Sequence, residues 1–142
     1  MKRILNVAMP VAALAFLSLV LPSGLRAATT CSNKTLKGTY SATITGTLGG
    51  MPFAELDLVT SNGDGTFTGT GTLSENGAIS TVSVSATYTI NSNCSGSAVL
   101  SNGVTQNFNI KSDGNEVLII ATTPGATITG DAKRVVKHED EE

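Results

Sequence analysis

From residue 38 onward, apolar and polar residues alternate with a period of two, and short Gly-, Asn- and Asp-rich turns interrupt the pattern. The clearest stretches are GTYSATITGTL (38–48), TFTGTGTLS (66–74) and AISTVSVSATYTIN (78–91). A two-residue period describes a strand with one buried and one wet face. Eight such segments are predicted: 38–48, 53–60, 66–73, 78–90, 95–100, 104–111, 116–122 and 126–135. Gly49-Gly50, Asn62-Gly63-Asp64-Gly65, Asn76-Gly77, Asn102-Gly103, Asp113-Gly114-Asn115 and Pro124-Gly125 supply turn chemistry between most of them.

The faces follow from the alternation. The first strand places Tyr40, Ala42, Ile44, Gly46 and Leu48 inward, against a row of Ser and Thr hydroxyls. In the second, hydrophobicity selects Ala54, Leu56 and Leu58 as the inner set and leaves Glu55 and Asp57 outside. The third sets Phe67, Gly69, Gly71 and Leu73 against threonines. The fourth, at 13 residues, exceeds a typical strand, so a bulge or bend is expected near Ser83 to Ser85. The sixth turns Val104, Gln106, Phe108 and Ile110 inward. The seventh, Val117 to Ile120, is apolar on both faces and is expected to be covered on both sides. Eight similar strands joined by short links fit a closed antiparallel up-and-down barrel. A two-sheet sandwich is the alternative, but it usually needs longer connections.

The N-terminus reads differently. Met1-Lys2-Arg3 precedes an apolar run from Ile4 to Leu21, then Pro22-Ser23-Gly24 and small residues at Ala27-Ala28. This is the layout of a signal peptide spanning 1–27, with cleavage after Ala27. The helix breakers and small-residue exit argue against an uncleaved anchor. A single domain then occupies 28–135, and an acidic tail, 136–142, is expected to be disordered. Cleavage removes Lys2, Arg3 and Arg26, leaving six basic residues against eleven acids. No basic patch remains to hold phosphates, so nucleic acid is not an expected partner. Nor is a membrane, once the signal is removed. The domain is expected to be a monomer, exported to the periplasm or beyond the cell.

Without Trp and with few aromatics, the core is thin, which gives weight to Cys31 and Cys94. In an exported chain an even cysteine count reads first as a disulfide. In a meander, the start of the first strand and the end of the fourth lie at one end of the sheet, so the two residues can meet. The rival reading, lipid attachment at Cys31, is poorly served by Thr30 and Ala28 upstream.

Candidate chemistry is sparse. Asn62 to Gly65 resembles a calcium loop but has no bidentate Glu at its end, so a hairpin turn is the better reading. Glu55 and Asp57 share a face, yet on an outer face they are solvated carboxylates rather than an acid/base pair. The single His138 sits in the acidic tail, away from any nucleophile. No catalytic constellation, metal site or cofactor is expected. The candidate ligand-binding residues are the inward Tyr40, Tyr88, Gln106 and Phe108, which would line a small pocket. Against this stands a filled interior, with the Tyr hydroxyls reaching the barrel end.

The ordered set CSNKTLKGTY, PFAELDLVTSNGDGTFTGTGTLSENG, ATYTINSNCSGSAVL and TTPGATITGDAKR resembles uncharacterised exported proteins of acidobacterial and related soil-bacterial genomes, over Cys31 to Arg134. More remotely the strand pattern is similar to calycin-like and allene-oxide-cyclase-like barrels. The resemblance implies a barrel that can hold an apolar ligand, and it brings no catalytic residue to any position here. The expected function is therefore non-enzymatic binding or surface association. A lipocalin-like carrier of a small apolar ligand is the alternative, and a cyclase-like isomerase a more distant one.

Overall fold

The turns set the architecture. Gly49 and Gly50 adopt left-handed conformations, φ 59° and 82°, that a side chain resists, and they place Leu48 directly opposite Met51. The computed structural model describes residues 30–135. The segment 1–27 and the tail 136–142, read above as signal peptide and disordered end, lie outside the described residues. Strands β1 (Gly38–Leu48), β2 (Met51–Ser61), β3 (Thr66–Glu75), β4 (Ala78–Ile90), β5 (Ser95–Leu100), β6 (Thr105–Lys111), β7 (Glu116–Ala121) and β8 (Ala126–Arg134) pair in chain order. β8 returns to β1, with Tyr40 opposite Arg134 and Leu48 opposite Ala126. The result is a closed antiparallel up-and-down barrel, and the sandwich alternative is excluded.

Every second residue of each strand faces the interior, though not all of these positions are fully buried. Tyr40, Ala42, Val84, Ala86, Tyr88, Ile90, Ala98, Phe108, Val117, Ile128 and Ala132 form most of the buried apolar interior. The outer wall is largely Ser and Thr, some of it bridged across strands, as between the Thr39 and Thr60 hydroxyls at 3.2 Å. Small inner residues let neighbouring side chains through. Gly96 faces the Phe108 ring so closely that a Cβ would come within 2.3 Å of it.

A 3₁₀ turn, Asn33–Leu36, closes one end. Leu36 is buried against the barrel, and Cys31 meets Cys94 as a disulfide with Cα atoms 5.0 Å apart. The Asn33 side chain accepts from the Ile90 amide at 3.0 Å, and its carbonyl accepts from the Tyr88 hydroxyl at 3.1 Å. Arg134 stacks 5.1 Å over the Tyr40 ring. From there it donates to the carbonyls of Lys37, Thr35 and Gly114, stitching the first and last strands to the plug.

Three expectations are corrected. First, β2 has the opposite facing: Asp57 is buried at 7% exposure and Glu55 is half-buried, while Leu56 and Leu58 stand 57% and 54% exposed. Residues directly opposite in an antiparallel pair share a face, so the inward Leu48 forces Met51, Phe53, Glu55, Asp57, Val59 and Ser61 inward. Turn geometry overrode hydrophobicity. Second, the β3–β4 ladder runs unbroken from Thr66 opposite Thr87 to Glu75 opposite Ala78, so no extra residue is inserted at Ser83–Ser85. The length of β4 is used instead to reach past β5, whose pairing begins only at Ala86. Third, the outer face of β7 is not covered, since Ile120 is 53% exposed.

The facing of β2 is open to a direct test. Leu56→Lys and Leu58→Lys should each change stability by no more than about 0.5 kcal/mol, as surface substitutions do. Val59→Lys, which places an ammonium in the interior, should cost about 3 kcal/mol or more. Urea titrations compare them, and equal damage at Leu58 and Val59 would show the strand reversed.

Candidate functional site

The interior is not filled. A cavity of about 130 Å³ runs from the plug at Leu36 to the rim at Leu48, Leu100 and the exposed Asn102. Its walls are mainly apolar, with Ile44, Phe53, Phe67, Val84, Phe108, Val117 and Ile119 among them. All four sequence-derived candidates, Tyr40, Tyr88, Gln106 and Phe108, line it.

The two tyrosines are already engaged. The Tyr40 hydroxyl donates to the Gly114 carbonyl at 2.7 Å. Burial holds the Tyr40 phenol above its usual range, partly offset by Arg134, which keeps it a donor. The Tyr88 hydroxyl lies 2.7 Å from the Ser61 hydroxyl and also reaches the Asn33 carbonyl. Both rings form wall, and both polar ends serve the closed end of the barrel. Tyr88 also stacks on Phe67, centroids 6.3 Å apart, and meets Phe108 edge-on at 6.5 Å. Gln106 and Phe108 remain as cavity wall.

Glu55 and Asp57 are the unforeseen polar residues of the cavity. They lie on successive inward positions of β2, opposite Ile44 and Ala42 of β1 and opposite Leu73 and Gly71 of β3. Gly71 makes the room, because a Cβ there would come 1.8 Å from Asp57 Oδ1. The two carboxyl groups are close enough to perturb each other's ionisation. Asp57 Oδ1 is buried and has no hydrogen-bond partner. Loss of hydration, and then the neighbouring Glu55 charge, push Asp57 up to about 7. Burial also raises Glu55 above the usual carboxylate range, while its hydrogen bond with Asp57 opposes that rise.

Elsewhere the polar features have structural employment. Asp64 accepts from the Thr66 amide at 2.9 Å and the Thr66 hydroxyl at 2.7 Å, as a hairpin turn requires, and these bonds hold its carboxyl below the usual range. Among the described residues, no group of three or more His, Cys, Asp or Glu side chains is placed to hold a metal ion. A broad hollow of about 570 Å³ on the outside of β5–β7 is lined largely by Asn and Ser with Leu118 and Ile120, and it contains no titratable side chain.

The acid pair was missed because strand faces were assigned by hydrophobicity alone. The signal that finds it is the two-residue Gly49-Gly50 link, which carries the facing of Leu48 across to Met51 and down the strand. The comparisons add no assignment: no family model, curated protein or solved structure matches this chain.

Proposed function

We propose that this domain is an exported, non-enzymatic binding protein that encloses one small, mostly apolar molecule inside its barrel. The supporting observation is the cavity of about 130 Å³ with mainly apolar walls and an inward acid pair, Glu55 and Asp57. Few polar groups among apolar walls are what fix a ligand's orientation. The size narrows the carrier reading. Carriers of drug-sized ligands use about 300 Å³ or more, whereas an apolar cavity of about 150 Å³ takes a benzene-sized guest. The expected ligand therefore has roughly six to ten non-hydrogen atoms. A disulfide at Cys31–Cys94 is compatible with an oxidising compartment outside the cytoplasm.

Native mass spectrometry of protein purified from its own source tests the reading. An adduct of roughly 80–150 Da, lost on denaturation, is the expected result. A bare mass, together with no cavity-residue shifts on adding benzene or toluene in NMR, would reject it.

One observation favours a second reading, an isomerase-type proton transfer. A carboxyl held near 7 inside an apolar cavity is matched to donating and accepting protons at neutral pH. Incubating the recovered ligand with the protein in D₂O separates the two: exchange of carbon-bound hydrogen supports chemistry, and its absence leaves binding.

A further inference from the structure

Asp57 Oδ1 is an unusual atom for a native interior. Buried polar atoms nearly always have a partner, and leaving one without costs the desolvation of that group. Asp57 is 7% exposed, and its Oδ1 rests over the bare Cα of Gly71 without a donor. No described group answers its charge. β1 presents Ala42 and Ile44 beside the pair, and β3 presents Gly71 and Leu73. Across the cavity stand Phe108 and Gln106, and among the described residues no Lys, Arg or His contributes to its walls. The nearest strand bearing an inward cation is β8, but Arg134 is committed to the plug carbonyls. The Tyr40 and Tyr88 hydroxyls are likewise engaged at the closed end.

The aromatic walls point the same way. Phe53, Phe67 and Phe108 line the cavity that holds the acid pair. Aromatic faces attract cations, and more strongly where water is excluded. An anionic pair with an unfilled acceptor, set among phenylalanines and without a counter-charge among the described residues, is complementary to a positive group carried on an apolar body.

We propose that the ligand of this cavity is a small organic cation, a primary ammonium on a hydrocarbon body of about benzene size, with its N–H groups donating to Asp57 and Glu55. The proposal deepens the binding reading and rests on it. A neutral hydrocarbon would fill the space but leave Asp57 Oδ1 unbonded. A metal ion fits less well, because calcium seeks six to eight oxygens. Two carboxylates and the Gln106 amide fall short of that. The ammonium supplies both missing elements at once, the donor and the charge.

NMR titration of the full domain tests this with matched pairs of probes: benzylamine against benzyl alcohol, cyclohexylamine against cyclohexanol, and n-butylamine against n-butanol. At pH 8 each amine should bind at least about tenfold tighter than its alcohol, the scale of one charge-assisted hydrogen bond. Asp57→Asn should reduce that ratio to near one. In the unmodified protein the preference should shrink between pH 8 and pH 5.5, since the pair gains a proton while the amines stay charged; this arm holds even if the variant folds poorly. Equal binding of amine and alcohol, with no effect of pH, would overturn the cation and leave the binding reading standing. Failure of all six probes to shift cavity resonances would overturn both. Calcium chloride shifting those resonances and displacing the amines would assign the site to a metal ion and reject the proposal.

Discussion

Removing the Cys31–Cys94 bond, as in the Cys31→Ala/Cys94→Ala double variant, is expected to cost about 4 kcal/mol of unfolding free energy. The two cysteines are 63 positions apart, so the bond closes a long ring in the unfolded chain. On the loop-closure argument, that restraint removes much of the unfolded state's freedom. The folded state loses something as well. Cys31 leads directly into the turn that plugs the barrel, and its amide donates to the Ser92 carbonyl at 3.2 Å. Released, the plug would keep only Leu36, the Asn33 bonds and the Arg134 contacts to hold it in place. For a domain of this size the loss corresponds to a fall in Tm of roughly 15 °C. Thermal melts of the oxidised protein and the double variant measure it, and a fall below 3 °C would show that the bond contributes little. The interior responds too: with the plug frayed, the closed end admits water, and probes that report on Leu36 and Tyr40 should broaden before the strands melt.

The contrast between strands and site shows what local pattern can and cannot carry. Strand positions were legible because two independent signals agree, alternation within each segment and turn residues between segments. Predicted and observed limits coincide for β1, β4 and β5 and differ by no more than two residues elsewhere. Barrel closure rests on Tyr40 finding Arg134 across the length of the chain, which no local pattern displays. The facing of β2 failed for a different reason. Its outward set, Ala54, Leu56 and Leu58, is more apolar than Glu55 and Asp57, so burial preference and turn geometry disagree. The fold resolves that conflict in favour of the turn. A strand that exposes two leucines while burying two acids breaks a local rule, and such breaks collect at functional positions. Tyr40 and Tyr88 illustrate the intermediate case. Their inward facing follows from alternation, but the use of their hydroxyls depends on the plug, and the plug depends on where Cys31 is tethered.

If Asp57 is an uncompensated interior acid, removing its charge should make the protein more stable. Asp57→Asn keeps the shape and can still donate to Glu55, yet it cannot ionise. The pH dependence gives the sign. The folded-state value, about 7, lies above the ordinary 3.8, so between those values the folded protein holds a proton that the unfolded chain releases. Stability from this group is therefore fully present below pH 4, declines as pH rises towards 7, and is flat above. Glu55, also raised, adds to the decline in the same direction. Asp64 acts oppositely, but only in the acid range below its ordinary value, because its carboxyl is lowered by Thr66. At pH 8 the variant should exceed the parent by about 2 kcal/mol, the shift discounted for the water that reaches the cavity. That is a rise in Tm of roughly 8 °C, and the difference should fall below about 0.5 kcal/mol at pH 4.5. Melts at the two pH values decide it. Equal destabilisation at both would place Asp57 among ordinary structural residues. The expected gain at pH 8 that fades at pH 4.5 instead marks a residue retained against stability, as happens where binding depends on a group that folding alone would discard.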